Sequence, residues 1–227
     1  LGAFLETADT IAHDKKVCLG DMVGYGADPN PCVELIRDRA DLILAGNHDY
    51  AAVGKTDVSY FNPDAYKACI WTHDELTDDN KEFLRSLPVR KLEGGIFWAH
   101  SSPFQPLAWH YIFSAVDGAR NFDYFDASVC FVGHTHKPII LQKDPAGQIE
   151  TCSGSFWKLR PGNRYIINAG SIGQPRDGNP DPSFGIYDTE SGTIEIRRFS
   201  YDRSTARKKI LENGLPPFLA ERLDLGL

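Results

Sequence analysis

Long apolar runs and clusters of basic residues are both absent from this sequence. No stretch approaches the length needed to cross a bilayer, and no basic segment precedes an apolar one in the manner of a secretory signal. The formal net charge is −7 at pH 7, and no block of lysine and arginine occurs. This balance argues against a surface for nucleic acid or anionic membrane. We therefore expect neither of these among the partners of the protein.

Paired cysteines are also lacking. The five cysteines are odd in number and show no CxxC spacing. Cys18 and Cys130 lie inside apolar runs, where cysteine usually acts as a small hydrophobic residue. This usage predicts a reducing, cytoplasmic setting without a disulfide framework.

The order of apolar and amphipathic segments indicates an α/β protein. In the first half, short apolar runs alternate with helical patterns as in βα units, and from residue 137 onwards the segments are mostly of β type. Residues 55–95 are predicted to be helical, with Asn62 and Thr77 as caps. No repeat, low-complexity tract or flexible linker is visible, so we predict a single domain over residues 1–227.

Four short apolar runs each end in a residue that can bind a metal ion. The runs VCLGD, LILAGN, GIFWAH and VCFVGH end at Asp21, Asn47, His100 and His134, and His136 follows two residues later. Since the carboxyl ends of strands in an open α/β sheet meet at one crevice, these side chains are expected to lie close together. One Asp, one Asn and three His suit Zn, Mn or Fe better than Ca.

His134 and His136 would point to opposite faces if the chain stayed extended. After Gly133 the backbone can turn, so that both imidazoles reach the crevice. They need not hold the same ion, because a carboxylate such as that of Asp21 can bridge two cations. Two cations clamp the attacking and leaving oxygens of a displacement at phosphorus and lower the pKa of water held between them. The pattern therefore predicts hydrolysis of a phosphate ester.

The segments GD, GNHD, AH and GHTH, in this order, resemble the signature of the calcineurin-like metallophosphoesterases. The longer segments CLGDMVGYGADPNPC and NAGSIGQPRD resemble the small bacterial and archaeal branch of that superfamily. The resemblance implies a two-sheet α/β sandwich flanked by helices. It also implies a phosphodiesterase or phosphomonoesterase in which a hydroxide bridging two divalent ions attacks phosphorus.

The resemblance assigns the metal ligands. It implies that Asp21 bridges the two ions, that Asn47, His100 and His134 complete one site, and that His136 belongs to the other. The ions themselves would be Mn, Zn or Fe, because such ligand shells accept several metals.

The resemblance also assigns the catalytic groups. It implies that His48 stabilises the transition state or protonates the leaving oxygen, and that Asp49 orients its ring. In GSIGQPRD, Arg176 would pair with phosphate, with ordinary turn chemistry as the alternative for that loop.

One motif of the family is missing. The family's first motif, an Asp-x-His on the opening strand, would give two ligands to the metal that His136 serves, and this sequence begins after the point where that strand should lie. We expect an N-terminally incomplete chain rather than a lost site, because the other ligands are intact. The alternative is a non-catalytic protein-interaction scaffold on the same fold, with one metal site lost.

The substrate class is left open by these residues. A phosphate-ester small molecule and a phosphoprotein both fit a site whose chemistry is set by metals. The aromatic residues Tyr60, Phe61, Tyr66 and Trp71 would suit a homo-oligomer face or a lid, although an amphipathic core stripe is the plainer interpretation.

Overall fold

The computed structural model describes residues 1–227 as a mixed α/β structure. The eight helices are α1 (Gly2–Asp9), α2 (Pro29–Arg39), α3 (Asn47–Ala52), α4 (Pro63–Glu75), α5 (Asp78–Ser86), α6 (Ala115–Asn121), α7 (Arg203–Glu212) and α8 (Pro217–Leu225). The eleven strands are β1 (Val17–Cys18), β2 (Leu42–Ile43), β3 (Arg90–Glu93), β4 (Ile96–Ala99), β5 (Val129–Val132), β6 (Ile139–Lys143), β7 (Ile149–Cys152), β8 (Phe156–Lys158), β9 (Arg164–Asn168), β10 (Ser183–Asp188) and β11 (Thr193–Arg198).

The chain divides into two compact units. The first contains Leu1–Val89 and Tyr201–Leu225, and the second contains Arg90–Ser200 and Gly226–Leu227. The expectation of one domain stays a prediction.

The first unit is mainly helical. Its strands β1 and β2 form a short parallel pair, and α4, α7 and α8 share an apolar core in which Ala68, Ile210 and Leu219 are buried. Asn62 and Thr77 cap α4 and α5 as expected, because their side-chain oxygens accept hydrogen bonds from the amides of residues 65 and 80.

The second unit contains two sheets. A six-stranded sheet has the order β3-β4-β5-β9-β6-β7, and a three-stranded antiparallel sheet has the order β10-β11-β8. The rings of Phe131 on β5 and Tyr187 on β10 lie 5.6 Å apart, so the sheets make side-chain contact. The core between strands and helices includes Phe122, Cys130, Leu141 and Ile166, all of which are buried.

Strands β4, β5 and β9 are parallel to one another. All four residues of β5 are buried, as is typical of a parallel strand covered on both faces. Because the three strands run in one direction, the residues that follow them lie at one edge of the sheet. Those residues include His100 after β4 and Gly133 and His134 after β5.

The predicted fold class is confirmed, with differences of detail. The prediction of helix over 55–95 is wrong at its end, where Arg90–Glu93 pairs with β4 as strand β3. Elements α3, α6, β8 and α8 were not expected, and β1 and β2 are only two residues long. All five cysteines are free thiols in this structure, and burial raises the pKa of the Cys130 thiol. None of the helices has the length and apolarity that a membrane span requires.

The core of the second unit can be tested at Leu141. Its side chain is fully buried on the inner strand β6, so Leu141→Ala should lower the free energy of unfolding by about 2–5 kcal/mol through lost apolar contact and a residual cavity. Leu92→Ala, on the exposed face of the edge strand β3, should change it by less than about 0.5 kcal/mol. Urea unfolding measures both, and equal effects would show that this core assignment is wrong.

Candidate functional site

In the second unit, the three predicted histidine ligands follow strands β4 and β5. His100, His134 and His136 are all buried. The amide of Gly133 donates a hydrogen bond to the carbonyl oxygen of His100 at 2.8 Å, and the rings of His100 and His134 meet edge to face with centroids 5.2 Å apart. The parallel strands thus bring at least these two imidazoles together, as the sequence predicted.

The turn after β5 is made by the histidines themselves. His134 has φ of 63° and His136 has φ of 58°, both in the left-handed region, whereas Gly133 is not in that region. For a residue with a side chain this conformation costs on the order of 1 kcal/mol or more. The expectation of a sharp turn is confirmed, but the residues that adopt the unfavourable backbone are the candidate ligands rather than the glycine.

Each of these two imidazoles forms a hydrogen bond with a main-chain carbonyl oxygen. His134 Nε2 lies 2.9 Å from the carbonyl oxygen of Trp109, and His136 Nδ1 lies 2.7 Å from that of Gln174. Since a carbonyl oxygen only accepts, these nitrogens carry the proton in the neutral rings. The lone pairs available to a metal ion are then on Nδ1 of His134 and Nε2 of His136, an arrangement common among histidine ligands of metals.

In the first unit, Asp21 also has left-handed backbone, with φ of 56°. Gly20, at φ of 102°, packs so closely on the main chain of Gly46 that a Cβ atom would lie 2.4 Å from the Gly46 nitrogen. Only glycine fits there. The close approach brings the carboxylate of Asp21 to the start of α3, where Oδ1 accepts a hydrogen bond from the His48 amide at 3.0 Å.

Asp49 has a position that the sequence did not reveal. Its fully buried carboxylate accepts hydrogen bonds from four main-chain amides, those of Gly46, Asp21, Met22 and Val23, at 2.7–3.3 Å. None of these donors is the ring of His48, which Asp49 was expected to orient. The side chain instead fixes the loop that carries Asp21 to the first turn of α3.

The two carboxylates of this loop repel each other. Burial, and next the negative charge of Asp21, raise the pKa of Asp49 well above its usual value, while amide donors including that of Gly46 lower it. A cation bound by Asp21 would offset the repulsion and favour the ionised form of Asp49.

His48 is held between two aromatic rings. Its imidazole lies 4.0 Å from the ring of Tyr25 and 4.9 Å from that of Phe61, measured between centroids, and the residue is buried. Gly24 closes a further side, because a Cβ atom there would lie 2.6 Å from His48 Nδ1. The orientation of this ring therefore depends on packing.

Each unit offers predicted ligands of a kind that metal ions bind. The first unit offers the carboxylate of Asp21 beside the start of α3, and the second offers the neighbouring imidazoles of His100 and His134. Carboxylates and imidazoles are donors suited to zinc, manganese or iron. The fixed tautomer of His134 and the charge of Asp21 fit a divalent cation as well.

Comparison with known proteins identifies the family. The family model for the calcineurin-like phosphoesterase superfamily domain matches residues 2–192. The chain belongs to that superfamily. It is 41% identical to the uncharacterised protein MJ0912 of Methanocaldococcus jannaschii over 234 aligned residues, which cover 98% of this chain and 93% of that protein.

Two solved structures of similar fold accompany this match. A metallophosphoesterase from Sphaerobacter thermophilus is 38% identical, with a TM-score of 0.86 over 99% of this chain and 94% of that one. The hypothetical protein PH1004 from Pyrococcus horikoshii has a TM-score of 0.81 over 100% and 92% of the two chains, and at 17% identity it supports the fold alone. The calcineurin-like family is metal-dependent and its members act on phosphate esters, so the family supports hydrolase activity in general.

One residue of this calcineurin-like domain was missed by the sequence analysis. Asn168, at the end of β9, is fully buried, and its Nδ2 donates hydrogen bonds to the carbonyl oxygen of Gly133 and to Thr135 Oγ1 at 2.6 and 2.9 Å. It thus holds the turn that contains His134 and His136. The signal was available, since RYIIN is a fifth apolar run that ends in a polar residue.

Arg176 lies beside the same turn. Its amide donates to the carbonyl oxygen of His136 at 3.1 Å, and its guanidinium donates to Gln174 Oε1. The segment is therefore tied to the candidate ligands, and contact of Arg176 with phosphate stays a prediction.

The packing around His48 can be tested at Gly24. Gly24→Ala combines an unfavourable φ of 99° with the contact on the imidazole, so it should displace the ring and lower kcat by about tenfold to a hundredfold. Gly26→Ala is a matched control, because a Cβ atom there meets nothing within 4 Å. Phosphatase assays with metal-supplemented protein measure both, and loss of activity in the control alone would contradict this geometry.

Proposed function

We propose that the protein is a dinuclear metal-dependent hydrolase of phosphate esters. The observation that supports this most strongly is the pair of buried imidazoles, His100 and His134, whose ring centroids lie 5.2 Å apart after the parallel strands β4 and β5. An ordinary buried polar cluster would not require a left-handed backbone at Asp21, at His134 and at His136. The family match supports the same chemistry.

The remaining ligands are divided between two sites in this proposal. Asn47 begins α3 directly after the Gly46 contact, and its side chain would join His100 and His134 around one ion. His136 would serve the second ion through Nε2, and the two oxygens of Asp21 would be shared. Manganese, zinc and iron all suit these donors, and availability would decide among them.

The bound ions would supply a water of lowered pKa and would offset the negative charge of the phosphate. The chain itself positions the groups around the reaction. His48 would donate a proton to the leaving oxygen, with its ring held by Tyr25 and Phe61. Asp49 would act as a positioning residue, because it fixes the main chain of Asp21 and of the turn before His48.

A screen of substrates tests the proposal as a whole. Protein supplemented with manganese, zinc or iron should hydrolyse phosphodiesters or phosphomonoesters, and removal of metal by a chelator should abolish the activity. Elemental analysis should find about two ions per chain after metal loading. A protein that binds metal but hydrolyses none of these esters would instead favour an interaction scaffold on the same fold.

Asp21→Asn tests the shared ligand. The amide oxygen keeps the shape and can still accept from the His48 amide, but the charge that attracts two cations is lost. Metal affinity should fall by a factor on the order of ten or more, and elemental analysis after gel filtration measures the loss. Asp126→Asn, an exposed residue in the other unit, is the control, and a full metal content in Asp21→Asn would contradict the bridging role.

His48→Ala tests the proposed acid. The variant should keep its metal, because no ligand is removed, and kcat should fall by about a hundredfold to ten-thousandfold. The loss should be smaller for an ester with a good leaving group such as p-nitrophenolate, which needs no proton. His13→Ala, on an exposed loop, is the control, and unchanged turnover in His48→Ala on poor leaving groups would show that the acid is another residue.

A further inference from the structure

An aromatic row extends from His134 to the protein surface. The ring of Tyr111 stacks on that of His134 with centroids 4.2 Å apart, and the ring of Phe113 stacks on Tyr111 at 5.2 Å. The interplanar angles are 17° and 10°, so the three rings are nearly parallel. Tyr111 is 48% exposed and Phe113 is 50% exposed. About half of the surface of each of these residues is thus exposed beside a candidate metal ligand and available for contact with a substrate.

The segment that carries these rings is firmly held. Ile112, between them, is almost fully buried in the core of the second unit. The carbonyl oxygen of Trp109 forms the hydrogen bond with His134 Nε2. Ile112 is buried whereas Tyr111 and Phe113 are about half exposed and stack on each other, so these two rings lie together on the outer side of the segment.

A pocket of about 410 Å³ lies at the outer end of the row. Its lining includes Phe113, Lys137, Pro138, Ile139 and Arg176. It is therefore apolar in part and also holds two basic side chains, and Lys137 directly follows the candidate ligand His136.

The pocket has two basic side chains, Lys137 and Arg176, in a chain of net charge −7. The pocket's one acidic side chain, Asp177, forms an ion pair with Arg198. The ammonium of Lys137 lies 5.7 Å from the centroid of Phe113, within cation–π range. An anionic molecule with an aromatic group matches both features, whereas an aliphatic ester would leave the rings uncovered.

We propose that Tyr111, Phe113 and Lys137 form a subsite for the aromatic substituent of a phosphate ester. Stacking on Phe113 selects aryl or nucleoside phosphodiesters over aliphatic ones, and Lys137 attracts the phosphate charge that both kinds of ester carry. This inference rests on the proposed phosphoesterase function. It assigns substrate specificity to residues outside the candidate metal ligands. A test of the subsite can therefore be separated from a test of phosphate ester hydrolysis.

Two diesters with the same leaving group test the subsite. Bis(p-nitrophenyl) phosphate and ethyl p-nitrophenyl phosphate both release p-nitrophenolate and differ in the substituent that is retained. In Phe113→Leu the ratio of their kcat/KM values should fall about tenfold relative to the original protein, chiefly through a higher KM for the aromatic diester. The ethyl ester should react at an unchanged rate, since it does not use the ring.

Two further variants provide the controls. Phe113→Tyr keeps an aromatic face and should retain the preference. Phe156→Leu removes another exposed phenylalanine, on β8, and should leave both rates as they were. A ratio in Phe113→Leu equal to that of the original protein would overturn the subsite while leaving the phosphoesterase function in place.

Binding provides a readout that does not depend on turnover. Phenylphosphonate and methylphosphonate cannot be hydrolysed at the P–C bond, and calorimetry gives their dissociation constants. The phenyl compound should bind about tenfold more tightly, and Phe113→Leu should remove the difference. If no ester is hydrolysed, the proposed phosphoesterase function is wrong, but this binding comparison still tests the subsite. Equal affinities of the original protein for the two phosphonates would overturn the subsite.

Discussion

Left-handed backbone at three candidate ligands is the constraint on which the rest of the site depends. Asp21, His134 and His136 all adopt a conformation that side chains disfavour, and the surrounding residues hold them there. Asn168 donates two hydrogen bonds to the turn of the histidines, and Asp49 accepts four from the loop of Asp21 and the start of α3. Buried polar groups whose own hydrogen bonds are formed thus hold this strained backbone in place.

This arrangement explains why the two supporting residues are an aspartate and an asparagine. A buried carboxylate that accepts four amide bonds, and a buried carboxamide that donates two, are effective only when every partner is in place. Loss of either would release the turn and leave unsatisfied groups in the interior. The positions of the candidate ligands therefore follow from hydrogen bonding behind them. The ring of Tyr111 also packs on His134, and those of Tyr25 and Phe61 pack on His48.

Much of the fold and of the candidate site could be predicted from the sequence, and the features that could not be predicted have physical reasons. Apolar runs that end in polar residues identified His100 and His134, because parallel strands share an edge. The same pattern at Asn168 was overlooked. The role of Asp49 could not be predicted. Three of the four amides that donate to it belong to Asp21, Met22 and Val23, which are distant from Asp49 in the sequence, and no sequence pattern marks such a contact. The rings of Tyr111 and Phe113 were likewise beyond prediction, since only the burial of Ile112 shows which way they face.

The most direct test is anomalous diffraction from crystals of the manganese-loaded full chain. The account predicts two manganese peaks that share Asp21, one in contact with Nδ1 of His134 and the other with Nε2 of His136. The hydrogen bonds of these rings to Trp109 and Gln174 fix that choice of atoms. Peaks that avoid Asp21, or coordination through the opposite ring nitrogens, would contradict it.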